Sequence, residues 1–188
     1  MDPQAKIAAG SVVCLEHTKV CGDVSIGSKT IIHPTAFIHA KEGPIIIGEC
    51  NLIEEKVVIV NNRKESMKIG SFNVFEVGSH CEAPSLGDNN VLEYKSFVGP
   101  KTVISKGCVI GAKCHVDTDE ILPVNTVIYG EECKRRIQAS DPTPQPLQLD
   151  FLVKVLPNYQ KIQPPNSKAT QLPIPVTSNL PSPMSPND

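Results

Sequence analysis

Apolar side chains recur along this chain at a six-residue step. Hexads open at Ile7, Val13, Val20, Ile26, Ile32 and Ile38, and resume at Ile47, Ile53 and Ile59. They continue through Ile69, Phe75 and Cys81, then Leu86, Leu92, Val98, Ile104, Ile110 and Val116, and close with a pair at Ile121 and Val127. Four positions after most openers stands a small residue or Asn: Ser11, Thr30, Ala36, Asn51, Asn73, Ser79, Asn90, Ser96, Thr102, Cys108 and Cys114, with Val24 and Val57 the larger cases. A longer phrase nests above the hexads. Ile47-Gly48-Glu49-Cys50-Asn51-Leu52-Ile53-Glu54, Ile69-Gly70-Ser71-Phe72-Asn73-Val74-Phe75-Glu76 and Leu86-Gly87-Asp88-Asn89-Asn90-Val91-Leu92-Glu93 share one pattern. Each reads aliphatic, Gly, two variable residues, Asn, two apolar residues, Glu. Nested repeats of fixed period mark a solenoid.

The period has a simple physical reading. Each hexad is a short strand plus a corner, and three hexads close one triangular coil. The opener points inward, and the fifth position points inward near a corner, where only a small side chain fits. Coils begin near Ile7, Ile26, Ile47, Ile69, Leu86, Ile104 and Ile121. Stacked at ~4.8 Å, they make an all-β parallel β-helix of about seven coils, roughly 30–35 Å long. Two coils carry extra residues, at Glu42-Gly43-Pro44 and at Asn61-Asn62-Arg63-Lys64-Glu65-Ser66. Both must loop out at a corner, because an extra residue within a strand would flip its inward set. The second reads either as a solvated spacer or as a projecting contact loop.

The expected organisation is a lead-in over 1–6, the β-helix over 7–130, a linker over 131–145, an α-helix over 146–159 and a tail over 160–188. Asp141-Pro142-Thr143-Pro144-Gln145-Pro146 breaks regular structure, and Pro146 suits a first helical turn. Leu147, Phe151, Leu152, Val155, Leu156 and Tyr159 then fall at helical spacing. Pro157 limits that helix to about three turns. So short a helix is marginal alone and must pack on the prism or on a partner. The tail is rich in Pro, Ser and Asn and is expected to be disordered. Within it, Ser182-Pro183 and Ser185-Pro186 match proline-directed phosphorylation sites.

Composition narrows the function classes. A net charge of -2 gives no electrostatic reason to expect nucleic acid or an anionic membrane as partner. The first residues lack the apolar region of a signal peptide, and no run approaches the ~18 apolar residues of a membrane span. Seven Cys with no C-x-x-C spacing are expected to be reduced structural thiols. Glu54, Glu76 and Glu93 share one slot of successive coils and are expected to form an acidic column with ~5 Å steps. It reads either as a solvated wall or as a docking stripe for a basic partner surface.

The hexads resemble the left-handed parallel β-helix proteins, which include acyltransferases and γ-class carbonic anhydrases. The γ-class likeness rests on Val20-Cys21-Gly22-Asp23-Val24, on Ile32-His33-Pro34-Thr35-Ala36-Phe37-Ile38-His39, and on the stretch from Ile121 to Gly130. In those enzymes the first run reads Arg-Gly-Asp and supports the subunit interface. Here Asp23 remains and Cys21 takes the Arg position. The first zinc His matches His39, while Glu55 and Val60 take the positions of the other two. Catalytic zinc needs three protein ligands and an open position, and Val supplies none. His80 and His115 occupy equivalent slots two coils apart, and His17 and His33 lack a metal spacing. No metal and no cofactor are expected. Acyl transfer requires a His presented into an intersubunit groove, and no insertion builds one. A metalloenzyme or acyltransferase stays as the alternative reading.

A more specific resemblance is to the small β-helix subunits of the dynactin pointed-end complex. It is carried by Gly43-Pro44-Ile45-Ile46-Ile47-Gly48 and the residues through Glu55, by Asn73-Val74-Phe75-Glu76-Val77-Gly78, by Gly87-Asp88-Asn89-Asn90-Val91-Leu92-Glu93, by Asn125-Thr126-Val127-Ile128-Tyr129-Gly130 and by the helix from Leu147 to Tyr159. The loop at 61–68 looks shorter than in vertebrate members. The resemblance implies a non-enzymatic adaptor of the cytoplasm and cytoskeleton, reaching the kinetochore in mitosis. Its implied partners are dynactin subunit 5 (another β-helix), the pointed-end actin-related protein and dynactin subunit 4. Within it, Glu54, Glu76, Glu93 and the helix residues Phe151, Leu152, Val155 and Leu156 are the candidate contacts.

Overall fold

The computed structural model describes residues 5–143 and 146–165. Three parallel sheets form the walls of a left-handed triangular prism. The first stacks Lys6–Ile7, Val24–Ile26, Ile45–Ile47, Met67–Ile69, Ser85–Leu86, Thr102–Ile104 and Glu120–Leu122. The second runs from Val12–Val13 through Ile31–Ile32, Leu52–Ile53, Val74–Phe75, Val91–Leu92 and Val109–Ile110 to Thr126–Tyr129. The third has six strands, from Lys19–Cys21 to His115–Val116. Six turns are therefore complete, and the seventh has two sides only.

The openers from Ile7 to Val116 all point into the prism and are buried. The closing pair differs from the sequence expectation by one residue. Leu122 pairs with Ile104 and Ile128 with Ile110, and both are fully buried, whereas Ile121 is 52% exposed. The six-residue step thus runs on unbroken from Val116. Keeping it places Thr126 in the small slot, where it is buried like Thr102.

Two of the three corners are tight. At the first, Lys29, Cys50, Phe72, Asn89 and Asn125 take the left-handed conformation just before the small slot. At the second, Thr35, Lys56, Lys95 and Lys113 do so. Such turns are unfavourable for residues with a Cβ, so neighbouring coils must hold them in place. Close stacking also explains the Gly that follows the opener: a Cβ on Gly48 would lie 2.6 Å from the Gly70 carbonyl oxygen. The third corner is looser, and both insertions emerge there. They stack on each other around Asn61, which is 2% exposed and donates to the carbonyls of Pro44 (3.0 Å) and Glu65 (2.8 Å).

The C-terminal region straps the second sheet. Lys134–Ile137, inside the stretch expected to be a linker, is a strand that pairs antiparallel with Thr126–Tyr129. Arg135 clasps Glu120 through two hydrogen bonds of 2.6 Å, drawing the carboxyl below its ordinary range. Helix α1, Pro146–Tyr159, then lies on the outer wall of the early coils. It continues past Pro157, whose missing N–H costs only one bond of the last turn. Beyond it, the Leu15 amide donates to Lys161 O (2.7 Å) and the Gln163 amide to Val13 O (2.9 Å). Both edges of the second sheet are therefore closed by the chain itself. Lys134–Ile137 covers the Thr126–Tyr129 edge and residues 161–163 cover the edge of Val12–Val13, so a partner coil does not find a free three-sided template at either end.

Candidate functional site

The small slots of the first corner form a buried polar ladder. Ser11 donates to Gly27 O (2.8 Å) and Thr30 to Gly48 O (2.9 Å). The Asn51 amide N–H donates to Thr30 Oγ1 (3.2 Å), and Asn73 N–H to Asn51 Oδ1 (2.9 Å). Asn73 Oδ1 accepts from Asn90 N–H (2.8 Å) and Asn90 Nδ2 (3.1 Å), and Asn90 Oδ1 from Cys108 N–H (2.7 Å). Each side chain thus holds the left-handed corner of the coil above it. The sequence shows the small slot but not this linkage, because the backbone donors carry no residue type.

The acidic column has a partner of the same kind. Glu54 accepts from Val77 N–H (3.0 Å), Glu76 from Tyr94 N–H (2.8 Å) and Glu93 from Ala112 N–H (2.9 Å). Each carboxylate reaches one coil along and caps the second corner there, which offsets the repulsion between stacked like charges. Burial raises the Glu54 carboxyl above its ordinary value, against the opposing Val77 amide. The folded state therefore holds that proton more tightly than the unfolded chain does. The resulting penalty is absent below the unfolded value and complete above the folded one. Glu54→Gln keeps an oxygen for Val77 and removes the penalty, so it is expected to match or exceed the parent in stability at neutral pH. The advantage closes as the solution is acidified through the carboxylate range. Glu54→Ala loses the cap and about 1 kcal/mol. Thermal unfolding of the three proteins across pH checks both.

The zinc-enzyme positions do not converge. His39 lies on the outer face of the third sheet, paired with Cys21 on one side and Val60 on the other, its ring edge-on to Phe37 at 5.5 Å. Glu55 sits at a corner, hydrogen-bonded to His33 Nδ1 at 3.1 Å. Val60 brings no donor and Glu55 is engaged elsewhere, so this set does not fit three-ligand zinc. Among the described residues no three His, Cys, Asp or Glu side chains are placed to share a metal ion. Asp23 forms an exposed ion pair with Lys6 (3.2 Å). His80 and His115 sandwich Phe97, with ring centroids 4.9 and 4.3 Å away. All seven cysteines are free, and burial pushes Cys81 up to about 12 and Cys14 up to about 11.

Helix α1 divides the expected helix residues. Leu152 and Leu156 pack with Leu149, Val153 and Ile162 against Val12, Cys14, Ile31 and Leu52. Phe151 instead faces outward, 61% exposed, and Val155 is half-buried outside that cluster. The packed residues follow the 149, 152, 153, 156 spacing, a tighter helical stripe than the one through Phe151 and Tyr159. Leu149 and Val153 lie outside the stripe expected from the sequence. No helix among the described residues is long and apolar enough to cross a membrane. Ser182 and Ser185 lie outside the described residues.

A scan against protein-family models returned no match. Among curated proteins, the chain is 57% identical over 169 residues to Dynactin subunit 6 of Nematostella vectensis, covering 84% of this chain and 91% of that protein. Dynactin subunit 6 of Xenopus tropicalis is 53% identical over 169 residues, covering 84% of each. Among solved structures, a hexapeptide transferase family protein from Anaplasma phagocytophilum superposes with a TM-score of 0.63 at 19% identity, over 82% of this chain and 88% of that one. That likeness is one of fold. At 57% and 53% identity to relatives that it covers over most of their length, the chain belongs to the Dynactin subunit 6 family.

Proposed function

We propose that the chain is a non-enzymatic structural and adaptor subunit of dynactin. In this reading it belongs to the pointed-end assembly that caps the actin-related filament and helps link dynein to cargo. The observation that carries it is the 57% identity to Dynactin subunit 6 along nearly the whole of that relative. The zinc positions agree with it, since Val60 and the His33-bound Glu55 leave His39 without co-ligands. Its partners are then dynactin subunit 5, the pointed-end actin-related protein and dynactin subunit 4, and its place is the cytoplasmic cytoskeleton, including the mitotic kinetochore. The contact surfaces we assign are the outward Phe151, with the half-buried Val155 one turn on, and the free carboxylate oxygens of Glu54, Glu76 and Glu93. Ser182 and Ser185 are assigned as regulatory phosphorylation sites.

Co-expression with dynactin subunit 5 followed by size-exclusion chromatography and metal analysis tests the proposal. The expected result is a one-to-one complex without stoichiometric metal. Stoichiometric zinc accompanied by carbonate-hydration activity would overturn it in favour of the enzyme reading.

A further inference from the structure

The last coil and the strap meet at two sulfurs. Cys114 occupies the small slot of the second corner and is buried, and Cys133 lies in the turn that leads into Lys134–Ile137, half-buried against the core. Their contacts are reciprocal. Cys114 Sγ donates to Gly130 O at 3.4 Å, in the turn that holds Cys133, and Cys133 Sγ donates to His115 O at 3.8 Å, next to Cys114. The Gly130 carbonyl also accepts the Cys133 amide at 3.0 Å, which fixes the turn. Burial raises the Cys114 thiol, and the neighbouring Cys133 raises it further. The other five cysteines show no such pairing. Cys81 and Cys108 are buried in the prism, and Cys14 lies under the helix.

We propose that Cys114 and Cys133 form a reversible disulfide that staples the strap to the last coil under hydroperoxide stress. The accessible thiol reacts first. Hydrogen peroxide oxidises Cys133 to a sulfenic acid and is itself reduced to water. The Cys114 sulfur then attacks the Cys133 sulfur, the S–S bond forms, and the sulfenic oxygen leaves as a second water. Two thiols and one peroxide thus give one disulfide and two waters, and a dithiol reductant reverses the step. Burial holds Cys114 up to about 11, so it stays a protected thiol until its neighbour is oxidised.

The bridge changes how firmly the solenoid end is closed. Lys134–Ile137 is exposed along its length and covers the edge of the second sheet. Reduced, it can fray and expose Thr126–Tyr129 as a pairing edge. Bridged, it cannot leave, so that edge stays closed.

The test treats the purified full-length chain with a small molar excess of hydrogen peroxide. Intact mass, peptide mapping and hydrogen exchange are then recorded, with Cys133→Ser and Cys21→Ser as variants. The expected result is a loss of two mass units, a linked peptide pair joining Cys114 to Cys133, slower exchange over 126–137, and a thermal midpoint raised by roughly 5 °C. Dithiothreitol should reverse all four. Cys21→Ser should behave as the parent, and Cys133→Ser should lose the linkage and both shifts. A Cys133 carrying added oxygen with Cys114 still free, a different cysteine pair, or a disulfide between two chains would each overturn the proposal.

Discussion

Replacing Asn73 by Leu is expected to lower the stability of the β-helix by about 2–4 kcal/mol, since it strands two buried donors. Asn73 is fully buried, and its Oδ1 is the acceptor for both the backbone N–H and the Nδ2 of Asn90. Leu has similar bulk, so the loss is one of hydrogen bonding more than of packing. Both donors face a corner from which water is excluded. Asn73→Thr is the discriminating partner. One coil before Asn51, Thr30 shows how a hydroxyl serves this slot: it accepts the next coil's amide and donates to a carbonyl. Thr at 73 should therefore retain more than half of the lost stability. Because coils contact only their neighbours, the damage stays local. Amide exchange should accelerate first at Asn90 and Cys108, and urea unfolding should rank the parent above Thr and Thr above Leu. Equal losses for Thr and Leu would show that bulk, not the acceptor, is what the slot requires.

The parts legible in the sequence were those that repeat. An inward aliphatic every six residues has one placement that keeps all of them dry, which is why the openers from Ile7 to Val116 read correctly. The closing coil misled because Ile121 and Leu122 are both aliphatic, as are Val127 and Ile128. Composition could not choose between them, and only the strict step and the small Thr126 could. The strand Lys134–Ile137 left no periodic trace, since it is exposed throughout and its one side-chain clasp, Arg135 on Glu120, belongs to no repeat. The acidic column was visible as a column, while its partners, the amides of Val77, Tyr94 and Ala112, have no sequence signature. That Val60 cannot ligate a metal follows from its residue type, whereas its place in a zinc set is only what the γ-class resemblance implies.

Leu149→Asp is expected to release helix α1 from the prism, whereas Phe151→Asp, two residues on, should leave it docked. Leu149 is 6% exposed and packs with Leu152, Val153, Leu156 and Ile162 on Val12, Cys14, Ile31 and Leu52. A carboxylate there would be buried on an apolar wall without a partner, so the helix detaches instead of burying it. Each large side chain that returns to water forfeits about 1.5–3 kcal/mol. A helix of 14 residues does not hold its shape alone. Detachment should therefore remove the helical signal in circular dichroism and lower the thermal midpoint. It should also free the edge of Val12–Val13, because residues 161–163 follow the helix. The Leu15 amide, bonded to Lys161 O at 2.7 Å, should then lose its exchange protection. Phe151, 61% exposed, gives the control: the same charge on the outward stripe should leave helicity, midpoint and Leu15 protection intact. If the partner complex fails to form with that variant while its fold is unchanged, the outward stripe is a docking surface. If Phe151→Asp melts the helix as Leu149→Asp does, the division of the helix into packed and outward stripes is wrong.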